Sequence, residues 1–135
     1  DMSNNCYVTA GGSNGYTGDA EVTLGADTTI NIYQSGNRGT MKTAKTTVNG
    51  ATINNMYLGG DSTDEGVTVA FNGENPALQA TINSGTITNL QIGTDAGEAI
   101  PADSAKVAVT YNAAATITNL EAAQTAFGTC LTVAE

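Results

Sequence analysis

The stretch Asp61 to Glu65, DSTDE, sets three carboxylates, Asp61, Asp64 and Glu65, within five residues, and Asp95 and Glu98 follow in GTDAGE. Clustered carboxylates can do two kinds of chemistry. One is acid and base work on a polysaccharide, in which a carboxyl pair flanks the scissile bond and basic or aromatic neighbours hold the sugar. The other is coordination of calcium, which takes several oxygens from carboxylates and backbone carbonyls. DSTDEG lacks both the alternate-position ligands of an EF-hand and the nonapeptide repeat of calcium-binding β-rolls. Calcium on Asp61, Asp64 and Glu65 is the one cofactor these residues suggest, against a plainer reading as solvated loops.

Catalysis finds little support elsewhere in the chain. There is no His, so the usual nucleophile and base triads lose their commonest base. Arg and Lys, which polysaccharide-cleaving sites generally add to their carboxylates, amount to four residues: Arg38, Lys42, Lys45 and Lys106. Neither Cys6 nor Cys130 has a catalytic or metal-ligand spacing. A bridge between them needs the chain ends to meet, so buried thiols are the expectation. The chain therefore reads as non-enzymatic, with no catalytic residue assigned.

Thirteen acidic residues against the four basic ones give a net charge of −9. Such a surface repels phosphate backbones and anionic lipid, which argues against nucleic acid as a partner. No run of eighteen apolar residues is present, so insertion into a membrane is not expected either. With 135 residues the prior is one domain, 1–135. The opening residues, DMSNNC, read as the start of a processed chain or of a piece of a longer one.

The elements that would carry such loops are short strands. β-Branched residues alternate with small polar ones in AEVTL, TTINIY, KTTVNG, GVTVAF, QATIN and KVAVTY. Between them lie Gly-rich or acidic connections, GGSNGYTGD, QSGNRGT, GGDSTDEG, NGENP and GTDAGEAIPADS, and these hold both prolines, Pro76 and Pro101. One window, Asn119 to Thr125, has good helix formers but is marginal in length.

A phrase recurs along these strands: VNGATINNMYLGG from Val48, INSGTITNLQIGT from Ile82 and YNAAATITNLEAAQ from Tyr111, with a looser copy, LGADTTINIY, from Leu24. The repeated units lie near 24–36, 48–60, 82–94 and 111–124. Their isoleucines stand 34 and 30 positions apart, from Ile53 to Ile87 to Ile117. Self-similarity at such an interval is the mark of a stacked array. Within each copy the apolar residues fall at Ile53, Met56 and Leu58, at Ile87, Leu90 and Ile92, and at Ile117, Leu120 and Ala122. Strict alternation would place the second of each set one residue earlier, so the chain must bend between two short strands that face one core. The bend residue is Asn55, Asn89 or Asn119. Asparagine tolerates the left-handed conformation, and its amide can bond its equivalent in the next copy.

This pattern resembles the parallel β-helix repeat proteins, whose coils carry stacked asparagines at sharp bends and aliphatic ladders inside. Phrases of this type also resemble those of bacteriophage fibre proteins and bacterial surface adhesins. The resemblance covers about Leu24 to Gln124 and implies an all-β fold, a parallel β-helix or β-solenoid. The unequal intervals also suit a triple-stranded β-helix in which three chains each supply a face. The alternative fold is a β-sandwich whose three hairpins share a phrase. The function implied is that of a non-catalytic structural or attachment protein on a virion surface or outside a cell. A phage fibre or capsid decoration module, self-associating as a homotrimer, comes first. A bacterial cell-surface adhesin or filament subunit is the alternative, and the scaffold fragment of a polysaccharide-degrading β-helix enzyme is a third. A host-surface glycan or another virion protein would be the partner. Tyr57, set between Met56 and Leu58, should point away from the core and is the interface candidate.

Overall fold

Leu24, Val48, Ile82 and Tyr111, the first residues of the four repeated phrases, lie side by side in one sheet, each paired with the next. The computed structural model describes residues 7–9, 16–34, 40–59, 70–71, 76–93 and 106–135. These form strands β1 (Tyr7–Thr9), β2 (Tyr16–Gly25), β3 (Thr29–Tyr33), β4 (Thr40–Tyr57), β5 (Ala70–Phe71) and β6 (Leu78–Gln91). Strands β7 (Val107–Tyr111) and β8 (Ala115–Ile117), helix α1 (Leu120–Phe127), a 3-10 turn (Gly128–Cys130) and strand β9 (Leu131–Val133) complete them.

The fold is all-β with one short helix, and every strand pair among the described residues is parallel. The main path runs β1-β3-β4-β6-β7-β9, with β2 and β5 joined to β4 and β8 joined to β6. Hairpins need antiparallel neighbours, so the shared phrases are not the hairpins that the sandwich alternative required. The first half of β4 pairs with β2 and its second half with β3; on its other side β6 follows it along nearly its whole length.

Alternation puts one side chain in two on the inner face, and register stacks those side chains into columns. Ala44, Leu78 and Val107 form one column; Thr46, Ala80, Val109 and Leu131 lie in another. Ile30, Ile53, Ile87 and Ile117 form a third, and Ile32, Met56 and Leu90 a fourth. All of these side chains are buried. Side chains stacked at one strand spacing pack against their neighbours in the column, most regularly in the four isoleucines, so the repeated sequence is also the packing rule.

Between the first two columns and the last two, the chain turns a corner. In β4 and β6 the corner residues are Gly50 and Gly85, with φ of 95° and 106°. A Cβ on Gly85 would run into the carbonyl oxygen of Ala51 and lie 2.9 Å from the Ala51 nitrogen, so β4 and β6 touch through bare backbone there. The other two units have no positive-φ glycine at the corner and use one more residue, between Leu24 and Ile30 and between Tyr111 and Ile117. The two shorter corners are thus the ones with a left-handed glycine, while the longer first corner has its positive φ at Asp27, 64°.

The expected helix window becomes α1. Eight residues are too few to hold a helix in water, but α1 buries Ala123 and Phe127 against the core, and that packing offsets its marginal length.

Candidate functional site

The carboxylates Asp61, Asp64, Glu65, Asp95 and Glu98, and Cys6, lie outside the described residues. Among the described residues no three His, Cys, Asp or Glu side chains gather closely enough to hold a metal ion. Cys130 is buried under α1's end of the core, with 2% of its surface exposed.

The asparagines do come together. Asn119 Nδ2 donates to Asn89 Oδ1 at 3.1 Å, Asn89 Nδ2 to Asn55 Oδ1 at 3.1 Å, and Asn55 Nδ2 to Asn31 Oδ1 at 3.0 Å. The result is one chain of amides through four units, all pointing the same way. Asn31 belongs to it although its copy of the phrase is one residue shorter; the register shifts between Ile30 and Ile32 to bring it into line. At the other end Asn119 turns both amide groups to Leu90, accepting from its nitrogen at 2.9 Å and donating to its carbonyl at 3.1 Å, where α1 replaces a further strand.

None of Asn55, Asn89 and Asn119 has a positive φ: Asp27 is the one non-glycine residue with it among the described residues. The left-handed conformation expected of these asparagines falls instead on Gly50 and Gly85. Alternation nevertheless breaks at the asparagines, since Ile53 and Met56, and likewise Ile87 and Leu90, are all buried. Asn55 and Asn89 lie inside strands β4 and β6, and Asn119 precedes α1.

Tyr57 is half-buried, and its ring stacks on that of Tyr33, the residue beside it in register, with centroids 5.5 Å apart and planes at 4°. At least one ring face of each is thus covered from within the chain. Gln34, placed by composition in a surface connection, is fully buried; its Nε2 donates to the carbonyls of Ala44 at 3.0 Å and Gln79 at 2.6 Å. Nothing in the local sequence signals this.

The outer face carries an arrangement that the sequence reading passed over. Thr29, Thr52, Thr86 and Thr116 stand side by side in register, just past the corner in each unit. On the adjoining face a second column runs through Thr23, Thr47, Thr81, Thr110 and Thr132. Next to that one, Asn83 Nδ2 donates to Asn49 Oδ1 at 2.8 Å. The available signal was threonine at a constant place in the phrase, immediately before its isoleucine.

Charge is sparse around the first of these columns. Residues 28–34, 46–59, 76–93 and 107–120 contain no Asp, Glu, Lys or Arg, in a chain of net charge −9. The charged pair that the structure does set out is at the start of the strands. Thr43 Oγ1 donates to Asp19 at 2.6 Å and Lys42 Nζ lies 3.6 Å from its other oxygen. The Thr43 hydrogen bond is the main cause holding the Asp19 carboxyl below its usual range; desolvation opposes it and Lys42 adds to it. An open groove beside α1 is lined by Thr118, Asn119, Glu121, Ala122, Thr125 and Ala126, without a convergent set of polar groups.

No protein-family model matches this chain, and neither does any curated protein or solved structure compared with it.

Proposed function

We propose that the chain is a single-chain β-solenoid that serves as a non-catalytic attachment module outside a cell or on a particle. The observation that carries this is the register: each repeated unit pairs in parallel with the next unit of the same chain, position by position. A chain organised this way devotes its sequence to a rigid wall with identical groups repeated along it. That is the architecture of a spacer or a binding face rather than of a single reactive pocket.

Of the two attachment settings, pairing within one chain favours the bacterial adhesin or filament reading over a homotrimeric phage fibre. In a triple-stranded coil a unit's neighbours would come from other chains. A decoration module on a phage particle, built from one chain, is the reading that comes next. Light scattering on the purified protein tests the proposal: the mass of one chain with a strand-dominated circular dichroism spectrum is the expected result. A fold that appears only in a trimer, or turnover of a polysaccharide that depends on Asp61, Asp64 and Glu65, would overturn it.

A further inference from the structure

We infer that the threonine facet just past the corner is an ice-binding face, so that the partner of this attachment module is crystalline water. The inference rests on the solenoid reading and adds the identity of the ligand.

Each unit places a short segment on this facet: Thr29-Ile30-Asn31, Thr52-Ile53-Asn54, Thr86-Ile87-Thr88 and Thr116-Ile117-Thr118. The isoleucine points in, with at most 8% exposed, and the residues flanking it point out. Asn31 is drawn inward, so the second outer column runs through Asn54, Thr88 and Thr118 beside the first column of Thr29, Thr52, Thr86 and Thr116. Parallel strands repeat at about 4.8 Å, and residues two apart on one strand at about 6.6 Å. The two columns therefore form a rectangular net of hydroxyl and amide groups. Both of its repeats are close to those of the oxygen net on a prism face of hexagonal ice.

Three further features fit a solid, neutral partner. The side chains of Thr29, Thr52, Thr86, Thr88, Thr116 and Thr118 make no hydrogen bond within the protein among the described residues, so their hydroxyls face solvent uncommitted, whereas Thr110 and Thr132 on the adjoining face lie 3.3 Å apart and bond each other. The residues of its two columns carry no charge, Asp27 and Glu121 standing at its margins, while the adjoining face pairs Glu21 with Lys45 in register. A charge would hold its own hydration shell and interrupt a neutral lattice; a threonine offers one hydroxyl and one methyl to it. Finally the net is held stiff, backed by the isoleucine column and bounded by the Gly85 corner and the asparagine ladder. A solid is bound by many weak contacts made at once, which succeeds only if none must be ordered first.

A neutral polysaccharide would find the same hydroxyls but would want an aromatic platform among them, and neither column of the facet contains an aromatic residue.

The test is partition of the purified chain into slowly grown ice, alongside an acidic control protein of similar size, together with the gap between melting and growth of a single ice crystal. The wild-type chain is expected to enrich in ice and to open that gap. T86Y and T116Y should fall to the level of the control with unchanged circular dichroism, while T47Y on the adjoining face should behave as wild type. T88K, at an exposed position, serves if the tyrosine variants do not fold. Exclusion of the wild-type chain from ice, undiminished enrichment of T86Y or T88K, or binding to crystalline cellulose without any effect on ice would each overturn the inference. The mass measurement under the proposed function is independent of ice, so a monomeric solenoid that fails here leaves that reading standing.

Discussion

The side-chain amide of Asn89 donates to Oδ1 of Asn55 at 3.1 Å and accepts from Asn119 at the same distance, so Asn89 is bonded on both sides by residues 34 and 30 positions away. A half-buried amide at such a place satisfies two neighbours, and its removal leaves Asn55 Oδ1 without its donor and Asn119 with Leu90 alone. Asn89→Ala should cost about 1 to 3 kcal/mol in urea unfolding. Thr88→Ala, one residue earlier but exposed, should stay within about 0.5 kcal/mol. Equal effects for the two would show that the ladder contributes nothing beyond a polar surface.

Gly85 and Gly25 predict opposite responses to a single methyl group. At Gly85 φ is 106° and the added Cβ meets the Ala51 backbone, whereas at Gly25 nothing lies within 4 Å. Gly85→Ala should lose about 1 to 3 kcal/mol from conformation alone, and more from the overlap, while Gly25→Ala should be near neutral. The midpoints of thermal unfolding, compared side by side, check it.

These two cases also mark what sequence could and could not supply. The aliphatic columns were legible because Ile53, Ile87 and Ile117 recur with a phase shift that only a common interior explains. Asn55, Asn89 and Asn119 stood out for the same reason. The corner glycines did not, because Asn49-Gly50 and Ser84-Gly85 look like any turn dipeptide until register shows two backbones in contact. Gln34 was hidden more deeply. Its burial depends on reaching the carbonyls of Ala44 and Gln79 on two other strands, which is a fact about tertiary packing. The threonine columns likewise required knowing which residue stands beside which. α1 was marginal as a local signal and forms because Phe127 has a core to enter.

Asp19 predicts a pH response of definite sign. Its carboxyl is held below the usual value of 3.8, first by the Thr43 hydrogen bond and then by Lys42. A group whose pKa is depressed on folding contributes stability above its unfolded pKa and loses it as pH falls through the folded value. The Asp19 contribution should therefore disappear only on acidification below the ordinary carboxylate range. The carboxyl is exposed, so the effect is expected in its titration rather than in global stability. Carboxyl-detected NMR should show Thr43→Val moving the Asp19 midpoint upward; an unchanged midpoint would assign the shift to Lys42 instead.

Phe127 is fully buried at the end of α1, and with Ala123 it packs that helix on the core beside β6 and β9. The asparagine ladder stops at the same point, since Asn119 spends both amide groups on Leu90. A sheet that ends without cover leaves apolar side chains and unpaired strand edges facing water, and such edges recruit further chains. Phe127→Ala should thus do two things at once. It should cost about 3 to 5 kcal/mol by emptying a core position, and it should loosen α1 enough to open the stack, so that the variant self-associates at concentrations where the parent does not. Thr125→Ala, on the exposed side of the same helix, removes only a bond to the Glu121 carbonyl and should do neither. Light scattering of both variants under native conditions separates the outcomes: a destabilised Phe127→Ala chain that remains strictly monomeric would mean that α1 packs on the core without capping it.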